Sequence, residues 1–185
     1  MSDRRSEPES LYACVRLGAS LLLMTIGGVG MYAMAVALAP VQAEFSAARG
    51  DASLPYTLTM IGFGIGGIVM GRLSDRFGVF VPLLIGGAGL GLGFVAAGSA
   101  GSLPQLTLAH GILIGLLGCS ATFAPLVADT SLWFNRHRGI AVAICASGNY
   151  LAGTVWPPVL QYFFDTSGWR ATYIGVGIFC AITIP

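Results

Sequence analysis

The sequence has no lysine and few charged residues of any kind. All nine basic residues are arginine, and only 9% of the 185 positions are charged, whereas about a quarter of the residues in a soluble domain are charged. A net charge of +1 gives no strong field to attract a polyanion. The composition therefore argues against an ordinary soluble domain and against a nucleic-acid partner.

Cysteine is also scarce. The chain has four, Cys14, Cys119, Cys145 and Cys180, without C-x-x-C spacing, and three of them lie inside apolar runs. We interpret them as packing residues rather than disulfide partners or metal ligands. The sequence shows no phosphate-binding loop and no metal-ligand spacing, and no histidine follows Ser147 to activate it as a nucleophile. We therefore expect no enzyme activity, no metal and no cofactor.

Long apolar runs are what the sequence has in abundance. Hydrophobic residues make up 55% of the chain, and its mean hydropathy is +0.80. A helix needs about 20 apolar residues to cross a ~30 Å hydrocarbon core, so the charge-free runs predict an all-α integral membrane protein. The predicted organisation is a cytoplasmic tail at 1–16 and six spans at about 17–40, 54–71, 79–98, 104–128, 139–164 and 169–185.

Two details qualify these spans. The run after Arg170 is shorter than a full crossing, so we expect the sixth span to be truncated and the chain to be incomplete. The Pro157-Pro158 pair removes two backbone donors and is predicted to kink or end the fifth helix.

The arginines predict the orientation. Placing the N-terminus in the cytoplasm leaves only Arg49 and Arg170 on the outer side, in agreement with the preference of basic residues for the cytoplasmic face. We expect a multi-pass protein in the lipid bilayer of a bacterial inner membrane, with a cytoplasmic N-terminus.

Glycines four residues apart predict close helix packing. The pairs are Gly62/Gly66, Gly67/Gly71, Gly87/Gly91, Gly89/Gly93 and Gly111/Gly115. This spacing puts two small residues on one face of a helix, where another backbone can approach. We interpret most of them as packing residues rather than as a substrate lining.

The charged stretch between the second and third spans carries the first recognisable motif. Gly71, Arg72, Asp75, Arg76 and Gly78 occur in the order Gly, any, Leu, any, Asp, Arg, any, Gly. This order resembles the loop between the second and third helices of the major facilitator superfamily of secondary transporters. The resemblance implies the six-helix N-terminal half of that fold, with Asp75 and Arg76 in a cytoplasmic gate. The alternative is a plain solvated loop.

Asp129 lies at the cytoplasmic end of the fourth predicted span. In the facilitator topology this position is near enough to Arg72 or Arg76 for an ion pair, so Asp129 is a candidate member of the gate. It is equally compatible with a simple interfacial acid.

A second resemblance covers about 50 residues. Its positions are Trp133 to Ala141 with Arg136 and Arg138, then Gly148, Gly153 and Pro157, and finally Trp169 and Arg170. They resemble the monocarboxylate porter and oxalate/formate antiporter branch, which implies a small organic anion as substrate. The acidic and aromatic signature of that branch is not evident around Gly27 to Tyr32, and its lysine is absent.

Four residues inside the spans are candidates for substrate or proton binding. His110 is the ionisable residue well inside a predicted span, which suggests proton coupling or carboxylate binding. A neutral histidine bonded to a neighbouring helix is an equal alternative. Tyr32, Asn149 and Tyr150 are each compatible with a substrate contact or with an interhelical hydrogen bond.

These observations together predict a secondary active transporter that works by alternating access and is driven by protons or by exchange. Because the resemblance covers one half of the fold, we expect the site to need a missing C-terminal half or a second copy. The isolated chain is predicted to transport poorly. The alternatives are a half-size homodimeric transporter and a sensor or scaffold that binds ligand without moving it.

Overall fold

The computed structural model describes residues 11–184, which form a bundle of helices without a strand. In chain order the helices are α1 (Leu11–Glu44), α2 (Arg49–Phe77), α3 (Phe80–Gly98), α4 (Leu103–Trp133), α5 (Arg138–Ser167) and α6 (Trp169–Thr183). The first five are long and apolar enough to cross a membrane, and α6 has 15 residues. The predicted all-α membrane architecture with six helices is confirmed.

Four of the helices, α1, α2, α4 and α5, are longer than the predicted spans. α1 begins at Leu11, so residues 11–16 of the predicted tail are helical, while residues 1–10 lie outside the described part of the chain. Pro40 and Pro55 lie within α1 and α2, and α5 continues through Pro157-Pro158 to Ser167. Of the two expectations for this pair, an end of the helix is wrong, and the kink stays a prediction. Each proline removes one helical bond, and neighbouring bonds and helices keep the segment helical.

The charged stretch after the second span is helical rather than a loop. α2 continues through Gly71 and Asp75 to Phe77, and Gly78 ends it with a φ of 79° and an N–H bond to the Ser74 carbonyl. Glycine adopts this left-handed conformation without a steric penalty. The connection to α3 is therefore short. Residues 71–79 and 133–138 form one end of the bundle, which is called the arginine-rich end below.

Small residues set the distances between helices. α2 packs on α4, α3 packs on α4 and α6, and α1 packs on α5. At the α2–α4 contact, a β-carbon at Gly115 would lie 2.5 Å from the Thr59 carbonyl oxygen. Gly62, Gly66, Gly89, Gly93 and Gly111 also face a neighbouring helix, whereas Gly67 and Gly71 face open space. Close packing is thus confirmed for the first set and wrong for the Gly67/Gly71 pair, which lies on the outside of α2.

Candidate functional site

A single tighter turn lies at Gly28 in the middle of α1 and is called the interruption below. Gly28 keeps a helical φ of −66° and ψ of −12°, and its N–H donates to the Met24 carbonyl at 2.9 Å. The helix consists of Leu11–Gly27 and Val29–Glu44, separated by Gly28. Met31 N donates to the Gly28 carbonyl at 3.1 Å, a tighter turn than a regular α-helix makes. The residues at the interruption come from a run with no charge and no proline. The interruption therefore needs an explanation from the neighbouring helices.

Side chains from two other helices bind carbonyls at this interruption. The indole Nε1 of Trp156 in α5 donates to the Thr25 carbonyl at 2.8 Å. The thiol of Cys119 in α4 contacts the Gly27 carbonyl at 3.6 Å. Such donors add polar contacts to helix carbonyls in an apolar medium, where a polar group without a partner costs several kcal/mol. α4 and α5 thus hold the two parts of α1.

Tyr32 and Asn149, two of the predicted candidates, lie together beside the interruption. The Tyr32 hydroxyl donates to the Asn149 backbone carbonyl at 3.2 Å, and its ring fits against Gly153, where a β-carbon would lie 2.7 Å from the ring. A β-carbon at Gly28 would lie 3.1 Å from the Asn149 Oδ1. Gly153 is therefore needed for the close approach of α1 and α5.

The other two candidates lie in different surroundings. Tyr150 is 76% exposed. His110 is fully buried, and its Nδ1 lies 3.3 Å from the Thr59 hydroxyl of α2. The rings of Phe94 and Tyr173 pack against the imidazole. His110 is thus sealed from the surface in the packed bundle.

Asp129 pairs with Arg16, not with Arg72 or Arg76 as the sequence suggested. The carboxylate accepts from Arg16 Nε at 2.7 Å and from Arg16 Nη2 at 2.8 Å. The Arg16 guanidinium also lies 5.0 Å from the Trp133 ring centre. The pair forms because α1 begins at Leu11 and brings Arg16 alongside the end of α4. Arg16 was counted only for orientation in the sequence.

The predicted gate residues are exposed at the arginine-rich end. Arg72, Asp75 and Arg76 lie on the surface of the last turns of α2. Arg76 stacks on the neighbouring Phe77 ring at 5.2 Å. Within residues 11–184, Asp75 makes no ion pair, so the gate has no ionic partner in the described part of the chain.

The Gly-Trp-Arg segment forms a charge cluster at the opposite end. Trp169 Nε1 donates to one Glu44 carboxylate oxygen at 2.7 Å, and Arg170 Nη2 lies 2.7 Å from the other. Arg170 Nη1 also donates to the Gly98 carbonyl at 2.8 Å. The cluster joins α1, α3 and α6. Sequence reasoning missed Glu44, although it is the last acid before the connection to α2.

The remaining motif residues have packing or surface positions. Gly148 faces α1, where a β-carbon would lie 2.7 Å from the Leu21 carbonyl oxygen. Arg136 is exposed, and Arg138 donates to the Ser131 hydroxyl at 3.2 Å. Within residues 11–184 no group of three His, Cys, Asp or Glu side chains is placed to hold a metal ion.

Comparison with known proteins identifies the family. Residues 19–185 match the sequence pattern of the Major Facilitator Superfamily. The chain belongs to the Major Facilitator Superfamily. The family predicted from Gly71 to Gly78 is therefore confirmed, and the protein is an integral, multi-pass membrane protein.

Individual relatives support the resemblance to the monocarboxylate branch of this superfamily. The chain is 31% identical over 145 residues to monocarboxylate transporter 6 of Mus musculus, covering 76% of this chain and 31% of that protein. It is 37% identical over 112 residues to monocarboxylate transporter 11 of Homo sapiens, covering 60% and 23%. It is also 34% identical over 122 residues to the MFS-type transporter pynF of Aspergillus niger, covering 65% and 28%.

These relatives are considerably longer than the chain, and all three are eukaryotic. The chain spans about a quarter to a third of the length of the curated relatives it matches. These relatives come from a mouse, a human and a fungus. They do not support the bacterial inner membrane expected from the sequence.

Proposed function

We propose that the chain forms the N-terminal six-helix half of a secondary active transporter that carries a small organic anion, such as a monocarboxylate, by alternating access. The observation that carries the proposal is the irregular turn of α1 at Gly28, in the middle of a span, where polar groups of α4 and α5 meet the backbone of α1. Secondary transporters bind substrates at interrupted spans near the bilayer midplane, where helix ends and released carbonyls supply polar groups. The names of the relatives support the substrate class.

Asn149 is the residue of this half that would contact the anion. Its side chain is half-buried beside Gly28, and within residues 11–184 its amide nitrogen has no hydrogen-bond acceptor. An amide NH₂ group donates two hydrogen bonds and suits a carboxylate. Tyr32 is a positioning residue in this proposal, because its hydroxyl bonds the Asn149 backbone carbonyl.

The gate residues need a partner outside the described bundle. Arg72, Asp75 and Arg76 lie exposed at the arginine-rich end, where a C-terminal half or a second copy would meet them. Ion pairs that exchange between two packed states are a recurring device in alternating access. The arginine-rich end is the cytoplasmic one in this proposal, because basic residues favour that side.

Coupling to protons or to exchange completes the proposed cycle. His110 is the candidate proton site, since it is an ionisable side chain in the interior of the bundle. Tyr150 lies on an exposed face and is the weakest of the four candidates. It contacts the substrate only if a second half encloses that face.

Substrate protection of an introduced cysteine tests the proposed site. Asn149→Cys is placed in the intact gene product with exposed Cys14 replaced by serine, leaving the buried native cysteines in place. Monocarboxylate should slow alkylation of position 149. The Cys14→Ser parent measures background labelling. The unaltered protein, which is labelled at exposed Cys14 near the start of α1, is the control for a position remote from the site. If no small organic anion tested changes the rate of alkylation at position 149, the proposed site is refuted.

A further inference from the structure

His110 is enclosed by four helices in the described bundle. It lies on the π-helical part of α4, Ala109–Cys119, and faces Thr59 of α2, Phe94 of α3 and Tyr173 of α6. The ring centre of His110 is 6.5 Å from that of Phe94 and 5.7 Å from that of Tyr173. The side chain is 0% exposed. In such a site, any hydrogen-bond partner of a ring nitrogen has to come from within the protein.

The Thr59 hydroxyl determines which ring nitrogen carries the proton. A threonine hydroxyl has one hydrogen to donate and lone pairs to accept with. Thr59 Oγ1 lies 2.7 Å from the Pro55 carbonyl, the usual length of an O–H···O bond, and 3.3 Å from His110 Nδ1. The hydroxyl hydrogen is therefore committed to Pro55. Toward His110 the oxygen acts as an acceptor, so Nδ1 bears the ring hydrogen.

The other ring nitrogen is left as a lone pair without a partner. Within residues 11–184, His110 Nε2 is buried and has no hydrogen-bond partner. Tyr173 is the titratable group in contact with the ring, and its hydroxyl is directed to the Met34 sulfur at 3.9 Å. Thr59 and Phe94 carry no charge. A proton on Nε2 would form an imidazolium with no counter-charge in contact, which costs several kcal/mol in a buried site.

Protonation and the sealed packing therefore oppose each other. By linkage, whatever opens the contact between α2, α4 and α6 raises the affinity of His110 for a proton, and a proton on His110 favours the open arrangement to the same extent. The proton comes from water. It adds to the Nε2 lone pair, while Nδ1–H keeps its bond to Thr59.

We propose that Thr59 holds His110 as the Nδ1–H tautomer and that Nε2 is the atom that accepts a proton when the bundle opens at this contact. This inference rests on the proposed transport function and specifies its proton site. It also assigns to Thr59 a positioning role that the sequence did not indicate.

Nitrogen NMR of the histidine side chains tests the tautomer. The intact gene product is labelled with ¹⁵N-histidine and placed in lipid nanodiscs, and the His110 signal is the one lost in His110→Gln. We expect a hydrogen on Nδ1 and none on Nε2 at neutral pH. Thr59→Ser retains the hydroxyl and should keep this pattern, whereas isosteric Thr59→Val should lose it. A hydrogen on Nε2 in the unaltered protein, or no change in Thr59→Val, would overturn the assignment.

The pH dependence of uptake tests the proton role. Uptake of labelled lactate into proteoliposomes should lose its dependence on external pH in His110→Gln, which has a similar size and cannot become charged. If His110→Gln does not fold, Thr59→Val against Thr59→Ser serves instead, with a shifted pH profile expected in the valine variant alone. An unchanged profile overturns the proton role and leaves the transport proposal standing. Absence of uptake by the unaltered protein would count against transport itself.

Discussion

Replacing Gly62 by alanine should destabilise the bundle, whereas the same change at Gly64 should not. A β-carbon at Gly62 would overlap the Gly111 carbonyl oxygen and lie 2.9 Å from the Leu116 nitrogen. Both are backbone atoms of α4, so no side-chain rotation relieves the contact. At Gly64, two residues along the same helix, a β-carbon meets nothing within 4 Å.

The pair of variants isolates the steric cost. Forcing extra atoms into a packed contact costs about 1–3 kcal/mol, and the rigid backbone on the other side places Gly62 near the upper end. Alanine gains about 1 kcal/mol over glycine in helix propensity, and this gain is common to both variants. The free energies of unfolding of Gly62→Ala and Gly64→Ala should therefore differ by about 3 kcal/mol.

Reversible unfolding in mixed detergent and SDS micelles measures this difference. Gly64→Ala should be as stable as the unaltered protein or slightly more stable. Equal stability of the two alanine variants would refute the close approach of α2 and α4, and with it the enclosure of His110 by these helices.

Three further predictions concern the ends of the bundle and the isolated chain. Asp129→Asn should lower the free energy of unfolding by about 2 kcal/mol, because its partner Arg16 is only partly exposed. The control is Asp165→Asn, which alters an exposed acid that accepts a bond from Gln161. This variant should change the free energy of unfolding by less than about 0.5 kcal/mol. Equal effects of the two variants would argue against the Arg16–Asp129 pair. Arg170→Lys should cost about 1 kcal/mol, because lysine cannot bind Glu44 and the Gly98 carbonyl with one planar fork; thermal unfolding at unaltered temperature would contradict this. The 185-residue chain alone should show little uptake in proteoliposomes if the site is formed between two halves, as proposed. Robust uptake would contradict that expectation.

The helical architecture was predictable because the physics behind it is local. Charges are costly in hydrocarbon, so charge-free runs indicate where the helices cross. The helix ends were less predictable. Gly71 has the same identity as Gly78, yet only Gly78 adopts a positive φ and ends α2. Nothing local distinguishes the two, because the conformation of Gly78 depends on where α3 packs.

The candidate site was even less predictable from local sequence than the helix ends. Gly66-Gly67 and Gly86-Gly87 are glycine pairs inside continuous helices, so the Gly27-Gly28 pair does not by itself predict an interruption. The difference lies in Trp156 and Cys119, whose donors reach the carbonyls of α1 from distant positions in the chain. Likewise, charge alone made several arginines candidates for Asp129, and only the packing of α1 on α4 selects Arg16.

Uptake of labelled anions by the intact gene product tests the central claim most directly. The protein is reconstituted into liposomes, and lactate, oxalate and formate are offered with an inward proton gradient or with unlabelled anion inside. We expect saturable uptake of at least one of these anions above that of protein-free liposomes, increased by one of the two driving conditions. Uptake no greater than that of protein-free liposomes for all three, under both conditions, would contradict it.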